Sequence, residues 1–171
     1  MNGINGINER ADCLLKSLFT TRRLTIAALT AALYAALTLA LAPISFVLLQ
    51  MRVSEALTLL PILFPEAIPG LFIGCLISNL LSPLGLPDII FGSLATLAAA
   101  LLTWKLRRVG WAACIPPIAV NAVVIGLLLH YQANAPLLPS MLLLAAEQAV
   151  PILILGNLII FALRKVMPKF I

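Results

Sequence analysis

Apolar stretches about as long as a bilayer is thick recur along this chain, and they constrain its fold more than any other feature. A helix rises ~1.5 Å per residue, so crossing a ~30 Å hydrocarbon core takes about 20 residues with few charges. The first such stretch occupies 24–42 and stops at Pro43. After a short loop at 43–46, a second reads through 47–64 despite Arg52 and Glu55. Pro65, Glu66, Pro69 and Gly70 mark the turn into a third, at 67–81. The run Ser82-Pro83-Leu84-Gly85-Leu86-Pro87 is a strong loop signal, and a fourth stretch follows at 88–104. The fifth spans 109–130, where Pro116-Pro117 predicts a kink. Beyond a polar loop at 131–136, the sixth covers 138–163.

Of 171 residues, 63% are hydrophobic and only 10% charged, against the roughly 25% charged residues of a soluble domain. Such a chain lacks the polar side chains to cover a globule in water. An ordinary soluble enzyme, a disordered protein and a disulfide scaffold are therefore excluded, and the length fits one unit. Cys13, Cys75 and Cys114 lie far apart without a C-x-x-C, which reads as inert thiols rather than a metal or redox site. The expected fold is an all-α integral membrane protein, a bundle of six transmembrane helices.

The net charge of +5 does not point to nucleic acid, because of where the cations sit. Arg10, Lys16, Arg22 and Arg23 lie in the N-terminal tail, Lys105, Arg107 and Arg108 in one internal cluster, and Arg164, Lys165 and Lys169 at the C-terminus. With six spans, all three clusters fall on one side, as the positive-inside rule expects of the cytoplasm. The loops at 43–46, 82–87 and 131–136 on the other side carry no Lys or Arg. Trp104 and Trp111 flank the internal cluster at interfacial positions. The resulting division is a basic cytoplasmic tail at 1–23, a membrane domain at 24–164 and a cytoplasmic tail at 165–171, with both termini inside.

Arg22-Arg23 ahead of an apolar run, with Ala40-Leu41-Ala42 behind it, imitates a twin-arginine signal. The run is long for a signal, and more membrane helix follows it. No G-x-x-x-x-G-K-[ST], H-E-x-x-H or G-x-S-x-G occurs in the sequence, so no nucleotide or catalytic chemistry is signalled by those routes.

Ionisable residues inside membrane spans are costly and mark functional sites. Here they are Arg52, Glu55 and Glu147, accompanied by Asn79, Asn121 and Gln148. Glu55, Asn121 and Glu147 each lie about nine residues from the outer end of their spans, hence roughly 13 Å deep. Polar groups from three helices at one level predict a pocket opening outward. Arg52 and Glu55, spaced i, i+3, share a helix face and could neutralise each other. Two carboxyl groups against one guanidinium suit a cationic or donor-rich ligand, since a carboxylate can accept two parallel N–H bonds. Asp88 and Glu66 each follow a proline at a helix start and read as N-terminal caps, and His130 as an interfacial residue. Asn79 and Asn121 could equally bond across helices within the bundle.

The first span also carries two rows of alanine at four-residue spacing, Ala28, Ala32, Ala36 and Ala40 beside Ala27, Ala31 and Ala35. Small residues at this spacing let another helix approach closely. The partner could be a neighbour in the same bundle or another protein, and the width of the face favours the latter.

Arg-Val-Ser-Glu-Ala-Leu-Thr-Leu-Leu-Pro (52–61), Pro-Gly-Leu-Phe-Ile-Gly-Cys (69–75) and Asp-Ile-Ile-Phe-Gly-Ser-Leu-Ala-Thr-Leu (88–97) resemble the QueT family. The specific resemblance covers about 47–108; elsewhere it is one of helix number, an alanine-rich first helix and an acidic last one. The resemblance implies a substrate-binding S component of an energy-coupling factor (ECF) transporter. Such a component binds a queuosine precursor, a 7-deazaguanine, from outside. It then docks on one transmembrane (T) subunit and two ATPase subunits, so ATP is used by the partners and no cofactor is expected in this chain. A guanine-like edge offers two adjacent N–H donors to a carboxyl group, which matches the surplus acid. The competing readings are a proton-coupled secondary carrier working through Glu55 or Glu147, and a membrane enzyme acting on a lipid.

Overall fold

The computed structural model describes residues 20–42 and 52–166. Every regular element among them is helical. Helix α1 spans Thr21–Ala40, and the central 3₁₀ segment spans Val53–Ile62. Helix α2 is Ala67–Asn79. A π turn, Asp88–Gly92, leads into α3, Ser93–Leu106. A tighter 3₁₀ stretch, Arg107–Cys114, precedes α4, Ile115–Ala133. Helix α5, Leu137–Val150, passes through a second π turn, Pro151–Gly156, into α6, Asn157–Val166.

Three helical runs, Thr21–Ala40, Asp88–Ala133 and Leu137–Val166, are long and apolar enough to cross a membrane, while Val53–Ile62 and Ala67–Asn79 are shorter. Leucines and phenylalanines on the outside of the bundle stay exposed, Phe91, Leu142 and Phe161 among them. Threonine, serine and asparagine are found inside. That inversion of the soluble pattern suits a hydrocarbon surround, where apolar side chains gain nothing from being buried.

The backbone breaks where sequence places turns, but not always in the expected way. The 46-residue run turns at Val109 and Gly110, and Gly110 takes φ +59, directly after the Lys105–Arg108 cluster. Pro116 and Pro117 do not kink a helix. They occupy the first turn of α4, where a missing N–H costs nothing and φ is already helical. Pro151 does sit within a helical run, and the ladder accommodates its missing donor by widening to the π turn. The first five residues of the second expected span, 47–51, lie outside the described residues.

Helices α1 and α2 pack most intimately, and glycine makes this possible. A methyl group at Gly70 would stand 2.3 Å from the Ala27 carbonyl oxygen, and one at Gly74 would stand 2.9 Å from that of Ala31. The row Ala27, Ala31 and Ala35 is thus directed into the chain's own core: Ala31 is buried, and the other two are half-buried. Ala28, Ala32, Ala36 and Ala40 are exposed on the other side. The two alanine rows serve different surfaces.

Candidate functional site

The 3₁₀ segment carries the centre of the site. With three residues per turn, side chains three apart eclipse, so the sequence sorts into three rows. Leu57 and Leu60 join Tyr34, Ala67 and Leu71 in one apolar cluster. Leu59, with Ile62, joins Ile152 and Ile160 in another. The third row, Glu55, Thr58 and Pro61, is polar at one end, and Glu55 through Pro61 are all buried. Runs of 3₁₀ helix this long are uncommon, and here the tight winding lets one strand of chain face neighbours on every side.

Arg52 precedes the first turn with extended backbone, φ −89 and ψ 102. The shared helix face expected for Arg52 and Glu55 therefore does not form. Instead, Arg52 Nη2 lies 3.1 Å from Asp88 Oδ2, in a salt bridge with the Asp88 side chain fully buried. The Ser82 hydroxyl donates to the same oxygen at 2.5 Å. Asn79 Nδ2 donates to the Asp88 carbonyl at 3.0 Å, with Cys75 Sγ at 3.5 Å. The capping role expected of Asp88 is replaced by this one, because the residue sits inside the π turn and its side chain makes no cap bond. Glu66 stands at the N-cap of α2 without a side-chain cap bond and pairs with Arg23 at 3.6 Å.

Glu55 is held differently. Its Oε1 accepts a hydrogen bond from Tyr34 Oη at 2.6 Å, and the Thr38 and Ser54 hydroxyls are 2.6 Å apart one turn along α1. Asn121, on α4, is within interaction range of the Glu55 carboxyl group. The Asn121 Nδ2 donates to Gln148 Oε1 on α5 at 3.1 Å. The structure thus brings together Arg52, Glu55, Asn79, Asn121 and Gln148 in one buried interior. It does not bring Glu147 there. That residue is half-buried and makes no hydrogen bond or ion pair among the described residues.

Sequence reasoning missed Tyr34, Ser82 and the pairing of Asp88. Tyr34 left a signal: it is the one aromatic residue amid the alanines of α1, and it is fully buried. A lone phenol on such a helix needs a polar partner inside the bundle. Asp88 left none, since only the fold shows that its helix begins with a π turn.

Four buried side-chain atoms find no hydrogen-bond partner among the described residues: Glu55 Oε2, Asn79 Oδ1, Asp88 Oδ1 and Ser93 Oγ. The Asn79 amide oxygen and, when ionised, the two carboxylate oxygens can only accept, and leaving such atoms unpaired is costly. Outside the membrane-facing interior, the loop at 82–87 and the end of α4 are tied by Gln132 Nε2 donating to the Leu84 carbonyl at 3.3 Å. His130 Nδ1 lies 2.8 Å from the Ala135 carbonyl, and Asn134 closes α4 in the left-handed region, so His130 finishes a helix end.

The described helices thus form an apolar shell around a group of buried polar residues. The sequence model of the QueT transporter family matches residues 24–165, and the chain belongs to that family. No curated protein and no solved structure matches the chain. Family membership makes it a transport protein of the membrane with a small-molecule substrate.

Proposed function

We propose that this chain is the substrate-capture component of an ECF importer for a queuosine precursor. In this reading it crosses the plasma membrane six times, with both termini cytoplasmic. The observation that carries the proposal is the set of three unpaired buried acceptors, Glu55 Oε2, Asn79 Oδ1 and Asp88 Oδ1, in a QueT-family chain. A 7-deazaguanine has N–H donors along its pyrimidine edge, and an aminomethyl substituent adds a cation. One guanidinium against two carboxyl groups leaves the interior able to accept that charge.

Within this proposal Glu55, Asn79 and Asp88 receive ligand donors, and Asn121 and Gln148 present amides beside Glu55. Arg52 balances Asp88, and Glu147 stands at the margin. The exposed ridge Ala28, Ala32 and Ala36 is the docking surface for the T subunit, with the two ATPases attached to it. Close approach to that ridge would gain dispersion contact without hydrophobic drive. Ala27, Ala31 and Ala35 support the ridge from behind by seating α1 on α2.

Two substitutions one residue apart test docking against folding. Ala32→Leu adds bulk to an exposed position, so the purified protein keeps ligand binding while losing co-purification with the energising module and losing uptake. Ala31→Leu drives bulk into Gly74 and lowers the unfolding temperature instead. Uptake that persists without any ATPase module would refute the proposal in favour of a proton-coupled carrier.

A further inference from the structure

A serine or threonine buried in a helix commonly returns its hydroxyl proton to the carbonyl one turn back. Thr30, Thr38, Ser78 and Thr96 all do so here. Ser54 pairs with Thr38, Thr58 with the Glu55 carbonyl and Thr103 with the Ala113 carbonyl. Ser93 is the exception among the buried hydroxyls of the described residues: it is 1% exposed, and its Oγ has no partner. The backbone gives the reason. Ser93 stands directly after the π turn Asp88–Gly92, where the ladder is re-spaced, and its own N–H goes to the Ile90 carbonyl. The carbonyl four residues back, that of Ile89, belongs to the turn.

This hydroxyl stands beside the polar interior. The backbone of Gly92, the residue before it, is so close to the site that a methyl group there would stand 2.6 Å from Asp88 Oδ1 and 2.8 Å from Asn79 Nδ2. Ser93 and Thr96, three apart on α3, share a face, and Thr96 Oγ1 reaches Cys75 Sγ at 3.3 Å. Cys75 Sγ also takes Asn79 Nδ2 at 3.5 Å and lies within interaction range of Arg52 and Glu55.

What the interior offers a ligand is therefore asymmetric. With the acids ionised, Glu55 Oε2, Asn79 Oδ1 and Asp88 Oδ1 can only accept. Among the unpaired buried side-chain atoms of the described residues, Ser93 Oγ alone then has a proton to give. Each such atom is costly while unpaired, and a complementary ligand recovers that cost. We infer that Ser93 donates to a ring carbonyl of the ligand and so makes the site selective for a cyclic amide, with N–H and C=O side by side. The inference rests on the deazaguanine reading and sharpens it. The pyrimidine edge of a 7-deazaguanine runs amino group, ring N–H, carbonyl: donors for the acceptors, and an acceptor for Ser93. An adenine-type edge sets a bare ring nitrogen against an acceptor and offers Ser93 no carbonyl.

The test is isothermal titration of the purified full chain with 7-aminomethyl-7-deazaguanine and with its 6-thio counterpart. The thio compound keeps both N–H donors and replaces the carbonyl by a weaker acceptor. The unsubstituted chain is expected to hold the carbonyl ligand roughly tenfold more tightly, the size of one hydrogen bond. Ser93→Ala should lower affinity for the carbonyl ligand by about that factor and bring the two ligands close together. Its unfolding temperature without ligand should match the parent's, because no bond within the protein is lost. Equal binding of both ligands by the parent would overturn the assignment, as would a preference that survives Ser93→Ala. A variant that gains the thio ligand without losing the carbonyl one would make Ser93 a matter of bulk, and a lowered unfolding temperature would make it structural; either overturns it. A parent that binds neither ligand sinks the deazaguanine reading itself, and this inference with it.

Discussion

Asp88 and Glu55 are two acids buried to the same degree, 0% and 1% exposed, yet their surroundings differ. Asp88 Oδ2 takes both the Arg52 guanidinium and the Ser82 hydroxyl, and its backbone carbonyl takes Asn79. Those contacts join the start of the 3₁₀ segment, the end of α2 and the loop after it. Each has one unpaired oxygen, Asp88 Oδ1 and Glu55 Oε2, but the other oxygen of Glu55 takes only the Tyr34 hydroxyl. The comparison separates two uses of a buried carboxyl group. One oxygen of Asp88 fastens three pieces of chain together; Glu55 is held by a single hydroxyl. Burial alone does not identify a ligand-binding acid, and the number of partners already engaged is the better guide.

Breaking the fastened acid should have the largest effect. Asp88→Ala leaves Arg52 in the interior without its salt bridge, and losing one partner of a buried pair typically costs about 3–5 kcal/mol. The purified variant is expected to unfold at much lower temperature, or to fail to accumulate, whether or not ligand is present. Thermal unfolding in detergent checks this. A variant as stable as the parent would show that Asp88 belongs with Glu55 rather than opposite it.

Tyr34→Phe should have an intermediate effect. It keeps the ring in the cluster with Leu57 and Leu71 but strips Glu55 Oε1 of its donor. A hydrogen bond to a charged group contributes about 1.5–3 kcal/mol, so the unfolding temperature should fall by less than in Asp88→Ala. Ligand affinity should fall as well, because the carboxyl group is no longer oriented. Unchanged affinity and unchanged stability together would remove Tyr34 from the account.

Glu147→Gln should have the smallest effect on stability, since its carboxyl group has no partner among the described residues to lose. Thermal unfolding should be indistinguishable from the parent, within the ~0.5 kcal/mol usual for substitutions away from a packed feature. Isothermal titration sharpens the comparison: an affinity loss well below that of Glu55→Gln is expected of a marginal residue. An equal loss would draw Glu147 into the interior when ligand is bound.

Much of this was legible in the sequence. The apolar stretches predicted helix throughout the described residues, although only three runs are long enough to cross a membrane, and the Lys105–Arg108 cluster fell at the turn because a run of charges is costly in mid-span. Arg52, Glu55, Asn79, Asn121 and Gln148 were found as candidates because each is expensive in hydrocarbon. What could not be read was partner choice. Arg52 and Glu55 look paired if the helix is α from 47 onwards, but Arg52 is extended and reaches across to Asp88. The alanine rows looked like one wide face, and only Gly70 and Gly74, each 43 residues further along the chain, divide them by accepting Ala27 and Ala31. Spacing along one helix states which residues share a face; it does not state which helix arrives there.

The most direct measurement is equilibrium binding of 7-aminomethyl-7-deazaguanine to the purified chain and to Glu55→Gln. The account predicts saturable binding by the parent at one site per chain. Glu55→Gln should remain folded but bind roughly 10- to 150-fold more weakly, as expected when a charge-assisted hydrogen bond of about 1.5–3 kcal/mol is lost. Parent protein that binds no deazaguanine, or a Glu55→Gln variant that binds it unchanged, would contradict the central claim that the unpaired oxygen of Glu55 meets the transported ligand.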